Sequence, residues 1–158
     1  MTSPSSPEPD QVARVTSEAA ELLGVLWGRA STAPVSASQL RVLFVLEHHG
    51  GINLRTLADT LGSSPSSTSR LCDRLQAVGF VERRSATGSR REVELYLSHR
   101  GRSFLTALRG RRESALESVL AQLPAARRAA LLHGLEAFCL AAADQLDEGD
   151  ADSDARTA

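Results

Sequence analysis

The stretch that decides the fold is Leu54–Arg84, LRTLADTLGSSPSSTSRLCDRLQAVGFVERR. Asn53 stands just before it, a residue type that caps helix N-termini, and Leu54, Leu57, Ala58 and Leu61 follow at helical spacing. Gly62 ends this short helix, because glycine readily takes the left-handed conformation that closes a helix C-terminus. Ser64 and Pro65 start another: the serine is an N-cap, and proline fits the first helical position, where no amide donor is needed. The second helix is expected to run to Val78 and to stop at Gly79. Two short helices joined by a glycine-containing turn make a helix-turn-helix.

Phe80 to Arg84 and Arg90 to Leu97 read as two strands around the loop Ser85-Ala86-Thr87-Gly88-Ser89. In the second strand Val93, Leu95 and Leu97 alternate with Glu92, Glu94 and Tyr96, the period of a half-buried strand. A hairpin placed directly after the second helix of a helix-turn-helix is a wing.

The flanks are helical. Val12, Val15, Ala19, Leu22, Leu23 and Leu26 predict a first helix from about Asp10 to Ala30, after which Pro34 breaks the chain. Ser36 or Ser38 can cap a second, carrying Leu40, Leu43, Phe44 and Leu46 and ended by Gly50 and Gly51. Ser98 caps a long helix reaching about Leu123, and Pro124 opens a last one with Leu131, Leu132, Leu135, Phe138, Cys139 and Leu146 apolar. The expected organisation is a disordered tail over 1–9, an N-terminal dimerisation helix over 10–35 and a winged helix-turn-helix over 36–97. C-terminal dimerisation helices over 98–147 and an acidic disordered tail over 148–158 complete it. The fold class is mainly α, with one β-hairpin wing.

Composition narrows the function. Of 158 residues 42% are hydrophobic and 23% charged, ordinary for a soluble globular chain, and 4% are aromatic, which favours a helical Leu/Ala core. No apolar run approaches the ~20 residues that span a bilayer, and MTSPSSPEPD has neither the basic nor the apolar part of a signal peptide. The two cysteines, Cys72 and Cys139, lack CxxC spacing, so neither a disulfide framework nor a zinc site is expected, and a reducing cytoplasm is the expected setting. There is no GxSxG, P-loop, HExxH or dinucleotide fingerprint, and no His or Asp arrangement to activate the serines at 63–69. The chain is read as a non-enzyme, with no catalytic residue, no metal and no cofactor.

The net charge of −1 hides a strong asymmetry. All 18 basic residues are arginine, and eleven of them fall between Arg70 and Arg112 against four acids. Six acids and one Arg follow from Asp144 onward. For a polyanionic partner the distribution matters more than the sum.

Helical arithmetic splits the second helix of the motif. Thr68, Leu71, Cys72 and Leu75 face inward; Ser66, Ser67, Arg70, Asp73, Arg74 and Ala77 face outward. Small hydroxyls followed by two arginines one turn apart suit the major groove, where Ser allows close approach and Arg pairs bidentately with guanine. A solvated charge ladder would look the same. The wing separates the two readings: Arg83, Arg84, Arg90 and Arg91 flank its loop with no acid between 83 and 91, an arrangement suited to phosphates.

Leu54–Arg84 together with SRREVELYLSHRGRSFL, residues 89–105, resembles the MarR family of bacterial transcriptional regulators. The resemblance extends in helix order over about residues 10–147. It implies a homodimer that binds a pseudo-palindromic operator on double-stranded DNA, represses transcription, and is released by a small-molecule effector or by cysteine oxidation. It places recognition-helix contacts on Ser66, Ser67, Ser69, Arg70 and Arg74, and a wing contact on Arg91. Two positions depart from the family pattern. Ser89 stands where an Asp that braces the wing arginine is common, and Thr68 where an aliphatic residue is usual.

Other residues have plainer readings. Cys72 lies on the apolar face and reads as a small core residue rather than a redox switch; Cys139 reads as packing. His48 and His49 point about 100° apart on a helix and cannot easily chelate one ion. Trp27 packs at an interface or lines a ligand cleft. The competing functional reading is a winged-helix protein-interaction module that does not bind DNA.

Overall fold

The computed structural model describes the backbone of residues 7–30, 35–86 and 89–155, and side-chain surroundings for 7–29, 35–85 and 93–145. The element order is α1 (Pro9–Ala30), α2 (Ala37–His48), β1 (Ile52–Asn53), α3 (Leu54–Leu61), α4 (Pro65–Ala77), β2 (Val81–Ala86), β3 (Ser89–Leu97), α5 (His99–Leu120) and α6 (Ala125–Ala155). The fold is mainly helical with a small antiparallel sheet. Two compact units divide the chain, one up to Ala115 and the other from Leu116 onward.

In the first unit the local signals act as their chemistry dictates. Ser36 caps α2 through a reciprocal box: its Oγ accepts from Gln39 N and its own N–H donates to Gln39 Oε1. Asn53 accepts from Thr56 N at 2.8 Å and caps α3. Ser64 accepts from Ser67 N, with Pro65 at the first position of α4. Both helices of the motif end on glycines at positive φ, Gly62 at +61° and Gly79 at +79°. After α4, Phe80 N–H returns to Leu75 O and Gly79 N–H to Gln76 O, the pair of bonds that satisfies a helix's last carbonyls.

The core of this unit gathers Val42, Leu43 and Leu46 of α2 with Leu57 and Leu61 of α3, then Cys72 and Leu75 of α4. Phe80, Val81, Leu95 and Leu97 from the hairpin and Leu105 and Leu108 from α5 close it. Phe80 stacks on Phe104 with ring centroids 4.7 Å apart. Arg109 of α5 grips Glu47 of α2 through both guanidinium nitrogens, one bond at 2.9 Å, and lies over the Phe44 ring.

The sheet departs from the expected hairpin in two ways. A third strand is present: β1 pairs with β3, Ile52 opposite Leu95, in the order β1-β3-β2. The ladder also continues beyond Arg84, through Ser85–Val93 to Ala86–Ser89 with an irregularity at Ser85/Ala86. That leaves Thr87 and Gly88 of the expected loop, both outside the described residues.

In the second unit, Pro124 O accepts from Arg127 N and Arg128 N at the start of α6. The helix continues to Ala155, through most of the stretch from 148 where an acidic disordered tail is expected, and 156–158 lie outside the described residues. On α6, Leu132, Leu135, Phe138 and Leu140 are all exposed. The tail expected over 1–9 lies, up to residue 6, outside the described residues.

Candidate nucleic-acid interface

The outward face of α4 is built by its own periodicity. Thr68, Cys72 and Leu75 are buried, so Ser66, Ser67, Arg70, Asp73 and Arg74 are left exposed. Ser69 is half-buried at the edge between the two faces. At the helix start the hydroxyls cluster: Ser64 Oγ donates to Ser67 Oγ at 2.9 Å and lies 3.2 Å from Ser66 Oγ. These side chains surround the first amides of α4, the positive end of the helix dipole.

An open groove of about 410 Å³ runs beside this face. Ser67, Arg70, Leu71 and Arg74 of α4 form one wall, Ser38 and Arg41 of α2 the other, and Gly62 and Ser63 of the turn close its end. Three guanidinium side chains therefore border one channel with no carboxylate among its lining residues. From sequence Ser38 stands out only as a possible helix cap, a place Ser36 takes, and Arg41 does not stand out at all. Their outward position follows from the inward Val42, Leu43 and Leu46, but their nearness to α4 is a tertiary fact.

The hairpin arginines behave differently from a row of bare charges. Arg83 Nη2 bonds Asp73 Oδ1 at 2.6 Å, and Arg84 Nη2 bonds Glu82 Oε2 at 2.8 Å. Arg84 also lies over the Tyr96 ring, 4.7 Å from its centroid. The expectation of four uncompensated arginines is corrected at these two positions, because acids outside the 83–91 stretch reach them through the fold. Arg90 and Arg91 belong to β3, but their side chains, like that of Ser89, lie outside the described residues.

Electrostatics settle the thiol in the motif. Cys72 is fully buried, and burial pushes its thiol up to about 11, so the reactive thiolate is scarce near neutrality. Tyr96 is held above its ordinary range by donating to Glu94 Oε2 at 2.7 Å. Glu47 is held below the usual carboxylate range by its hydrogen bonds from Arg109. Among the described residues no group of three or more His, Cys, Asp and Glu could hold a metal ion. No helix among them is long and apolar enough to cross a membrane.

A short helix, a glycine turn, an exposed polar helix and an antiparallel wing define the winged helix-turn-helix class. Residues 33–92 match the MarR family. The uncharacterised regulator YfiV of Bacillus subtilis (strain 168), described as an HTH-type transcriptional regulator, is 31% identical over 101 residues. That alignment covers 64% of this chain and 63% of YfiV. The HTH-type transcriptional repressor MdtR of the same organism is 32% identical over 79 residues, 49% of this chain and 51% of MdtR. The crystal structure of RV1404 from Mycobacterium tuberculosis superposes with a TM-score of 0.75 at 30% identity, covering 89% of this chain and 98% of that one. The chain belongs to the MarR family of transcriptional regulators.

Proposed function

We propose that this protein is a sequence-specific DNA-binding repressor, cytoplasmic and non-enzymatic, that acts as a homodimer on a pseudo-palindromic operator. The observation that carries the reading is the arginine-bordered groove beside the exposed start of α4. Arg70 and Arg74 stand one helical turn apart on a face of small hydroxyls, positioned as base readers, while Arg41 across the groove suits a phosphate. Ser66, Ser67 and Ser69 supply short contacts at the helix start, and Arg84, Arg90 and Arg91 the charge of the wing. Repression follows the character of MdtR, a relative named as a repressor.

Self-association is supported by apolar surface left without a partner within each unit. Val12, Val15, Leu22 and Val25 are exposed on α1, and among the described residues of α6 Leu131, Leu132, Leu135, Phe138 and Leu140 are exposed as well. Release by a small anionic effector has a candidate place within the first unit. Arg112 lies 4.6 Å from the Trp27 ring centroid, and Trp27 Nε1 and Arg112 Nε are buried donors without an acceptor. Such donors favour a carboxylate or phenolate.

An electrophoretic shift on the DNA upstream of the protein's own gene tests the reading. A discrete complex that survives excess random duplex supports it. No complex, with the protein folded, would return the chain to the reading of a winged protein-interaction module.

A further inference from the structure

Arg83 occupies a wing position expected to meet phosphate, yet the folded chain turns it toward the recognition helix. On β2 successive side chains alternate between faces, so Arg83 shares the face of the buried Val81 and stands opposite the buried Leu95. Glu82 and Arg84 take the other face, with Tyr96. Pointing inward, Arg83 reaches Asp73 on α4 at 2.6 Å; its side chain is 35% exposed, against 59% for Arg84. Only Val78, Gly79 and Phe80 connect α4 to β2, so the ion pair closes a small ring across that joint.

We propose that the Asp73–Arg83 pair is a brace that fixes the wing against the recognition helix, and that Arg83 is a positioning residue and not a phosphate contact. The inference rests on the DNA-binding reading above. A carboxylate on the DNA-facing side of α4 would by itself repel phosphates; paired with Arg83 it is locally neutral and holds two DNA-facing elements in one geometry. An exposed ion pair adds little to folding stability. The brace therefore acts on affinity, by sparing the wing from being ordered at the moment of binding.

The test uses the full chain and a duplex selected by the wild-type protein from a random pool, titrated across a salt series. Asp73→Ala removes an anion from the DNA-facing helix, yet it is expected to weaken binding, by roughly three- to tenfold, the size of coupling found between contacting residues. Arg83→Ala is expected to weaken binding to the same degree with the salt slope unchanged, since a lost phosphate contact would lower it by about 0.9 per subunit. The double alanine variant should be no worse than either single one. A charge exchange, Asp73→Arg with Arg83→Asp, should recover affinity to within about twofold of wild type. Tighter binding by Asp73→Ala, a lowered slope in Arg83→Ala, or independent effects in the double variant would each overturn the brace and leave DNA binding standing. Failure of the wild type to select any duplex would overturn both.

Discussion

Thr68 lies on the inward face of α4, fully buried, and its hydroxyl has no hydrogen-bond partner. A buried polar group left unpaired forfeits about 1–3 kcal/mol of solvation, while an apolar group of similar shape does not. Thr68→Val is therefore expected to raise the unfolding free energy by about 1 kcal/mol in urea titrations. DNA affinity should not change, because Thr68 does not line the groove. A lowered urea midpoint would show that the hydroxyl has a partner in solution. At this scale the sequence was largely legible, since helical periodicity and capping are local: it sorted Thr68, Cys72 and Leu75 inward and Arg70 and Arg74 outward. Leu71, sorted inward by the same rule, is half-buried and lines the groove. Periodicity gives the direction of a side chain and not how far a neighbouring helix covers it.

Among the elements, the joint where β3 gives way to α5 is closely packed. Ser98 Oγ donates to Gly79 O at 2.6 Å and accepts from Gly101 N at 2.9 Å, and Ser98 N–H donates to Phe80 O. A Cβ at Gly101 would lie 2.4 Å from Phe80 O and 2.7 Å from a Leu97 methyl, so a side chain at position 101 would force the backbone here to shift. Gly101→Ala should destabilise the protein by about 1–3 kcal/mol, the usual range for overpacking, despite alanine's better helix propensity. A thermal melt reads this; an unchanged or higher midpoint would contradict the close approach. The bond between α2 and α5 carries a pH signature. Because Arg109 holds Glu47 below its usual value, the folded form binds this proton less readily than the unfolded chain. The stabilisation is thus present above about the reference value of 4.5 and is lost as pH falls through the lower folded value. Glu47→Gln should flatten the acid limb of a stability-against-pH curve without changing its shape near neutrality. At this scale legibility was mixed. The hairpin declared itself through the alternation of Val93, Leu95 and Leu97, whereas β1 is two residues long and has no period to detect. It is a strand only because the chain leaving α2 runs beside β3.

For the whole molecule, charge and apolar surface decide the behaviour. The basic residues are concentrated between Arg70 and Arg112, and most of the exposed large apolar side chains among the described residues lie on α1 and α6. Sedimentation at micromolar concentration is expected to give twice 16.9 kDa, with a monomer as the contrary result. What sequence could not supply at this scale is the meeting of distant side chains. Arg41 with Arg70 across one groove, and Asp73 with Arg83 across one joint, join residues that no periodicity connects. A groove beside α4 that reads sequence must show itself in a ratio of affinities. Duplexes selected by the wild-type protein should bind about 10³-fold or more tighter than random duplex at physiological salt. Arg70→Ala should lose about 1–3 kcal/mol per half-site on the selected duplex, with relaxed preference at one base position and little change on random DNA. Equal affinity of the wild type for selected and random duplex, or an Arg70→Ala protein weakened equally on both, would contradict the account.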